Sequence, residues 1–262
     1  MPTPSSVPSA FSSSGSRIIP EFLALEIAQR MAEKLEVVRL QPKKIGHLGE
    51  LNLNVLGSYY PDADHRCFDP RFSSNALSQL FKKITHQHFY SYQAPSDIGT
   101  ADFDLIWSNL ELHLQSEPEA LMKRWRSMLK PEGLLMFSYL GPDTGKELAK
   151  LFRNDCLLKN AGSLDMHDVG DGLMQAGFSE PVMDMEYLTL SYDDPHLLCK
   201  EAFNLGLLIS PESAEHLIQA ELELTITLEV VYGHAWAPDA LLSQKRAGIT
   251  TISPDQIVRS KK

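Results

Sequence analysis

At 262 residues, 43% of them apolar, the chain is long enough for one large globular domain or two small ones. Its 34 acids outnumber its 24 lysines and arginines, and the net charge of −10 argues against broad binding to nucleic acid or to an anionic membrane. Cys67, Cys156 and Cys199 are far apart and odd in number, so neither a disulfide framework nor a zinc knuckle is suggested, and a reducing cytoplasm is the simplest setting.

Residues 1–19 are rich in serine and proline and read as disordered. They lack the basic region and apolar core of a secretory signal, and no stretch of the chain approaches the roughly 18 apolar residues of a membrane span. Residues 20–39 have the period of an amphipathic helix, with Phe22, Leu25, Ile27, Ala28, Met31, Leu35 and Val38 on a broad core-packing face. Residues 43–48 take the place of a first strand, 52–60 follow as a short helix or loop, and 65–69 read as a second strand ending in Asp69. A short helix capped by Ser73 or Ser74 is expected over 74–83, and a third strand over 86–92. His86 and His88 share one face of that strand but lack a third ligand, so no metal site is expected there.

The most informative stretch is 102–144. Phe103-Asp104-Leu105-Ile106-Trp107 has the length and composition of a buried strand. Ser116 is placed to cap a helix, with Pro118 in the first turn and acids near the positive end of the dipole. Leu121, Trp125, Met128 and Leu129 share one helix face, and Lys130-Pro131-Glu132-Gly133 stops the helix. Leu134-Leu135-Met136-Phe137 then runs without polar alternation, as a strand covered on both faces does. Strand, helix and strand in this order form a right-handed crossover with parallel strands, and ligands of such sheets bind at the strands' carboxyl ends. Ser108-Asn109-Leu110 and the run from Tyr139 to Thr144 therefore fall on the functional edge.

Beyond it, 144–153 is amphipathic. Residues 167–176 read as a helix capped by Asp165 or Asp168 and ended by Gly177. Residues 181–190 and 222–232 are β-type runs, the sixth and seventh strands. Between them 194–208 and 211–220 read as two helices, an insertion (194–220) over the carboxyl edge. The polar, basic tail 239–262 reads as flexible.

Five segments in this order and spacing carry a resemblance: FDLIWSNLELHL (103–114), the helix end LKPEG (129–133), LGPDTGKEL (140–148), DMHDVGDGLMQAGFSEPVMD (165–184) and VVYGHAW (230–236). Over roughly 23–238 the chain resembles the class I methyltransferases that use S-adenosylmethionine, and more narrowly the malonyl-acyl-carrier-protein O-methyltransferases of biotin synthesis. The resemblance implies an α/β, Rossmann-like, seven-stranded sheet in a domain over 20–238, with a helical insertion before the last strand. It also implies S-adenosylmethionine as methyl donor and an acyl carrier protein as partner.

It further implies where the site lies. The family's glycine-rich turn reads DLGCGTG; here it is His47-Leu48-Gly49-Glu50-Leu51-Asn52-Leu53. Gly49 is kept, His47 replaces the acid that meets the amino-acid end of the cofactor, and Leu51 and Leu53 replace glycines. If the backbone kept its shape, each leucine in a left-handed conformation would cost roughly 1–2 kcal/mol. Asp69 matches the acid that accepts from the ribose hydroxyls, although a turn aspartate before Pro70 explains it as well. The family's acid that meets the adenine amine is missing, and Tyr92 or Gln93 stands near its place, Gln93 to bond the adenine edge or Tyr92 to stack on it; Ser108 and Asn109 hold the family's place beside the cofactor. Tyr139, Asp143, His234 and Trp236 match pocket-lining positions, although His234 and Trp236 equally suit a structural role holding the last strand against the insertion, and Lys146 is the nearest cation for a substrate carboxylate. A carboxylate is already ionised at neutral pH and needs no general base, so the chemistry itself names no catalytic residue. Two readings stay open: a methyltransferase, and a non-catalytic scaffold that has lost the cofactor and binds a protein partner. Cofactor binding separates them.

Overall fold

Apolar runs without polar alternation need cover on both faces. In the computed structural model, which describes residues 19–68, 90–92, 100–152, 157, 164–210 and 223–238, they have it. The strands are β1 (Lys44–Gly49), β2 (Asp64–Cys67), the three-residue β3 (Tyr90–Tyr92), β4 (Phe103–Asn109), β5 (Leu129–Leu140), β6 (Ser179–Ser191) and β7 (Thr225–Trp236). They form one sheet in the order β3-β2-β1-β4-β5-β7-β6. Pairing is parallel from β3 to β5, and β7 runs antiparallel between β5 and β6. The α/β class and the parallel β4–β5 crossover expected from the sequence are both present.

The helices are α1 (Glu21–Glu33), α2 (Leu53–Tyr59), α3 (Pro118–Met128), the single turn α4 (Leu148–Leu151), α5 (Met166–Gln175) and α6 (Pro195–Asn204). On one face of the sheet, Leu23, Ile27 and Met31 of α1, Leu56 of α2 and Leu198 of α6 pack with Ile45, Leu105, Trp107 and Met136. On the other, Trp125 and Met128 of α3 and Leu173 of α5 pack with Ile106, Leu135, Phe137 and Tyr139. Asp165 caps α5 by accepting from the His167 amide at 2.8 Å, and Gly177, at φ 93°, ends the turn that follows. Among the described residues no helix is long and apolar enough to cross a membrane.

Several boundaries differ from expectation for local reasons. The first helix stops at Glu33 and continues as a 3-10 turn over Lys34–Val37, and Phe22 and Leu25 point to solvent (58% and 38% exposed) because Ala24 and Ala28 form the contact face instead. Ser116 does not cap α3; Glu117 occupies the N-cap without a side-chain bond, and Pro118 sets the first turn. Lys130-Pro131-Glu132-Gly133 is part of β5 rather than a stop between helix and strand, with Glu132 at φ 63°. Of the described residues in 144–153 only Leu148–Leu151 are helical. The expected elements at 74–83 and 211–220, most of the third strand and both chain ends lie outside the described residues.

Gly233 fixes how the antiparallel part of the sheet meets the core. It pairs with Phe137, and a Cβ on Gly233 would lie 2.3 Å from Phe137 Cζ. The Phe137 ring cannot retreat easily, being fully buried against Trp125 and Tyr139 at centroid distances of 5.3 and 6.1 Å. Gly233→Ala should therefore destabilise the fold by about 1–3 kcal/mol in urea denaturation, and Phe137→Leu in the same chain should recover part of the loss.

Candidate functional site

The carboxyl edge begins where β1 meets β4, with Gly49 opposite Asn109. Gly49 has φ 70°, and a Cβ there would stand 2.2 Å from the Asn109 carbonyl oxygen. The Glu50 amide donates to that same oxygen at 2.8 Å. Glycine is needed here because β1 closes on its neighbour, not because a ligand must come near. Leu51 and Leu53 are not among the residues with positive φ. The left-handed cost anticipated for them does not arise: past Gly49 the backbone takes another path and enters α2 after Asn52, whose φ is −108°.

Asn109 is fully buried, and its hydrogen bonds stay within the protein. Its Nδ2 donates to the Ala24 carbonyl at 2.9 Å and to Asn52 Oδ1 at 3.0 Å, while Oδ1 accepts from Ser138 Oγ at 2.7 Å. Both amide hydrogens are thus committed, so Asn109 holds the wall of the edge and has no donor left for a cofactor. Ser108, also buried, donates to Glu111 Oε2 at 2.8 Å. Burial is the largest influence on Glu111 and lifts its carboxyl above the ordinary value, against the Ser108 bond and the attraction of Arg124. Leu110 between them takes φ 55°, turning the chain so that Glu111 follows at the edge.

His47 does not take up a contact at this edge. It is buried on the α1 side of the sheet, and its Nε2 lies 2.8 Å from Nδ1 of His65. The rings stack at 5.1 Å, and His65 Nε2 lies 3.0 Å from the Tyr60 carbonyl oxygen. A carbonyl only accepts, so His65 carries its proton on Nε2 and His47 donates to Nδ1. Both rings are neutral in this arrangement. Burial first and His65 second push the His47 pKa down to about 3.

At the end of β5, Tyr139 is fully buried and its hydroxyl has no hydrogen-bond partner among the described residues. Burial, then Asp165, Glu229 and Asp168, raise its pKa, so it stays protonated and able to donate. The loop after Leu140 is anchored by Glu229 of β7. The Gly141 amide donates to the Glu229 carbonyl at 2.8 Å and the Asp143 amide to Glu229 Oε2 at 2.6 Å. Gly141 has no room for a Cβ, which would come within 2.6 Å of the Glu229 carboxyl carbon. Asp143 itself pairs with Lys146 at 2.5 Å on the exposed rim.

Of the residues expected at the site, Gly49, Ser108, Asn109, Tyr139, Asp143 and Lys146 gather on this edge. His234 and Trp236 do not: they pair with Met136 and Leu134, toward the amino end of β5. Four residues separate Met136 from Leu140, roughly 13 Å along a strand. The family resemblance suggests them as pocket lining or as structural residues of the last strand; β7 runs antiparallel and carries them away from the edge, which favours the structural role. Asp69 and Gln93 lie outside the described residues. Glu111, Ser138 and Glu229 were not anticipated. The signals were present, since Ser138 and Glu229 each interrupt an apolar run and Glu111 is an acid just past a strand end. Among the described residues no three His, Cys, Asp or Glu side chains gather as a metal would need.

The buried imidazole pair makes stability depend on pH with a definite sign. His47 binds its proton near pH 3 in the fold and near the ordinary histidine value of 6.5 when unfolded. Between these values the unfolded chain holds the extra proton, so stability is full above pH 6.5 and falls as pH drops. The loss should approach about 1.4 kcal/mol per pH unit below roughly pH 5.5. In His47→Gln, which still offers an N–H to His65, denaturation curves from pH 7 to pH 4.5 should lack this part of the slope.

No family model matches the chain. A malonyl-[acyl-carrier protein] O-methyltransferase of Nitrosospira multiformis is 38% identical over 257 residues, covering 82% of this chain and 83% of that protein. The enzyme of the same name from Gallionella capsiferriformans is 32% identical over 259 residues, 88% and 89% of the two chains. In structure, the YcgJ protein of Bacillus subtilis aligns with a TM-score of 0.56 at 11% identity, over 84% of this chain and all (100%) of that one. A Bacillus halodurans protein provisionally named a methyltransferase aligns with a TM-score of 0.53 at 12% identity, over 80% and 99%. At such low identity the structural likeness speaks for the fold alone, whereas identity above 30% along most of both chains decides kinship: this chain belongs to the malonyl-[acyl-carrier protein] O-methyltransferase family.

Proposed function

We propose that this chain transfers a methyl group from S-adenosylmethionine to the free carboxylate of a malonyl group carried on an acyl carrier protein, in a reducing cytoplasm. What carries the reading is the kinship with enzymes named for that reaction, over more than four-fifths of their length. The non-catalytic reading has no support among these relatives.

The donor brings an electrophilic methyl group on a cationic sulfur. The described residues fit a cation at Glu111 and do not fit one at His47, whose ring is committed to His65. Glu111 and the backbone from Gly49 to Asn52 are the described groups that would hold the donor.

The acceptor needs little from the protein. Its carboxylate is already the nucleophile, so no base has to take a proton. Tyr139 supplies a buried, protonated hydroxyl with no hydrogen-bond partner among the described residues; it is closed to solvent in this structure, so it would orient a carboxylate oxygen only once the edge opens to admit the acceptor. Apolar neighbours Phe137 and Val231 keep water away from it. Anion and cation neutralise each other as the methyl group moves, and a water-poor site favours a step in which charge disappears. Lys146, mostly exposed and paired with Asp143, serves the rim where the carrier would approach.

The test is direct. Purified protein incubated with S-adenosylmethionine and malonyl carrier protein should yield the carrier-bound methyl ester by mass spectrometry, and acetyl carrier protein should yield none. In Tyr139→Phe the fold should be as stable as the parent or up to about 1 kcal/mol more stable, since a buried hydroxyl without a partner is removed. The same variant should lose roughly tenfold in kcat/KM, the worth of one hydrogen bond to a charged group. A correctly folded protein that makes no ester would end the reading.

A further inference from the structure

The carboxylates of the carboxyl edge differ in how they are satisfied. Asp143 is paired with Lys146, Glu229 accepts from the Asp143 amide, and Glu50 is engaged elsewhere. Among the described residues Glu111 accepts one hydrogen bond, from Ser108 to Oε2 at 2.8 Å, and forms no salt bridge. Its Oε1 accepts nothing from the described residues, and the side chain is half-buried rather than fully enclosed.

Its position is equally specific. Glu111 follows the end of β4, and a Cβ built on Gly49 would lie 3.0 Å from the Glu111 Cβ. Gly49 thus leaves the space in which Glu111 stands beside the turn after β1. Ser108 pairs with Phe137, so Glu111 is tied to the face of the sheet that carries Tyr139. Arg124 attracts this carboxylate from a distance but forms no hydrogen bond with it, so burial is only partly offset and the second oxygen is left for a closer cation.

We infer that Glu111 receives the ammonium group of the amino-acid portion of S-adenosylmethionine, an inference that rests on the methyl-donor reading above. The ammonium would donate to Oε1 while Ser108 holds Oε2. The raised Glu111 pKa has the same origin, since burial disfavours the bare anion. His47, at the end of the neighbouring strand, cannot take this part: it is neutral and bonded to His65 on the opposite face.

The test compares two neutral-sulfur ligands by calorimetric titration: S-adenosylhomocysteine, which carries the ammonium group, and methylthioadenosine, which lacks the amino-acid portion. Glu111→Gln keeps the side chain's shape and its acceptor for Ser108 but removes the charge. The parent should prefer S-adenosylhomocysteine. Glu111→Gln should lose about 10- to 100-fold in affinity for it, the range for a charged hydrogen bond, and bind methylthioadenosine as the parent does. Unchanged methylthioadenosine binding also certifies the fold of the variant. An unchanged preference in Glu111→Gln would overturn the inference and leave the methyl-donor reading intact. Equal losses for both ligands would overturn it too, by marking the effect as structural. If the parent bound neither ligand, the methyl-donor reading would fall and this inference with it.

Discussion

A buried carboxamide that spends both its donors on its own protein governs this edge. Asn109 joins four parts of the chain: its own strand, the α1 backbone at Ala24, the turn at Asn52 and β5 at Ser138. Each of these groups, left unpaired inside the protein, would cost roughly 1–3 kcal/mol. The bonds are therefore obligatory, and they hold the ends of β1, β4 and β5 in one register. The positive φ of Gly49 and of Leu110 follows from the same closure, because the chain must turn away on both sides of a carboxamide that cannot move.

That closure separates two environments. On the α1 side lie two neutral imidazoles, Trp107 and the apolar side chains of α1. On the α3 side lie the Glu111 carboxylate and, one strand over, the Tyr139 hydroxyl. The polarity expected of the residue at the end of β1 has moved across the sheet to the residue after β4. Read along the chain, the glycine-rich turn looks damaged. Read across the sheet, a carboxylate is still offered at nearly the same place.

The frame was legible in the sequence because its signals are local. Leu105-Ile106-Trp107 and Leu134-Leu135-Met136-Phe137 announce doubly covered strands, and Asp165 with Gly177 brackets α5. What could not be read depends on partners far along the chain. Asn109 was expected to touch a cofactor, and only the arrival of Ala24, 85 residues earlier, shows its donors to be spent. His47 looked like a lost acid until β2 brought His65 beside it. Leu51 and Leu53 looked strained on the assumption that the turn kept the family's path. His234 and Trp236 fit either role, because strand direction is not written in a strand's composition. Ser116 has the chemistry of a cap, but Pro118 sets where α3 begins, one residue later than a serine cap would allow.

The two ends of the described domain leave it on opposite sides. Helix α1 meets Asn109 one turn after Pro20, so the chain enters beside the carboxyl edge. Strand β7 finishes at Trp236 opposite Leu134, and the chain departs from the amino edge. A bulky fusion joined ahead of Ile19 would crowd the carboxyl edge. The same fusion joined after Pro238 would stand behind the sheet, and a surface that holds the protein by that end would leave the carboxyl edge turned outward.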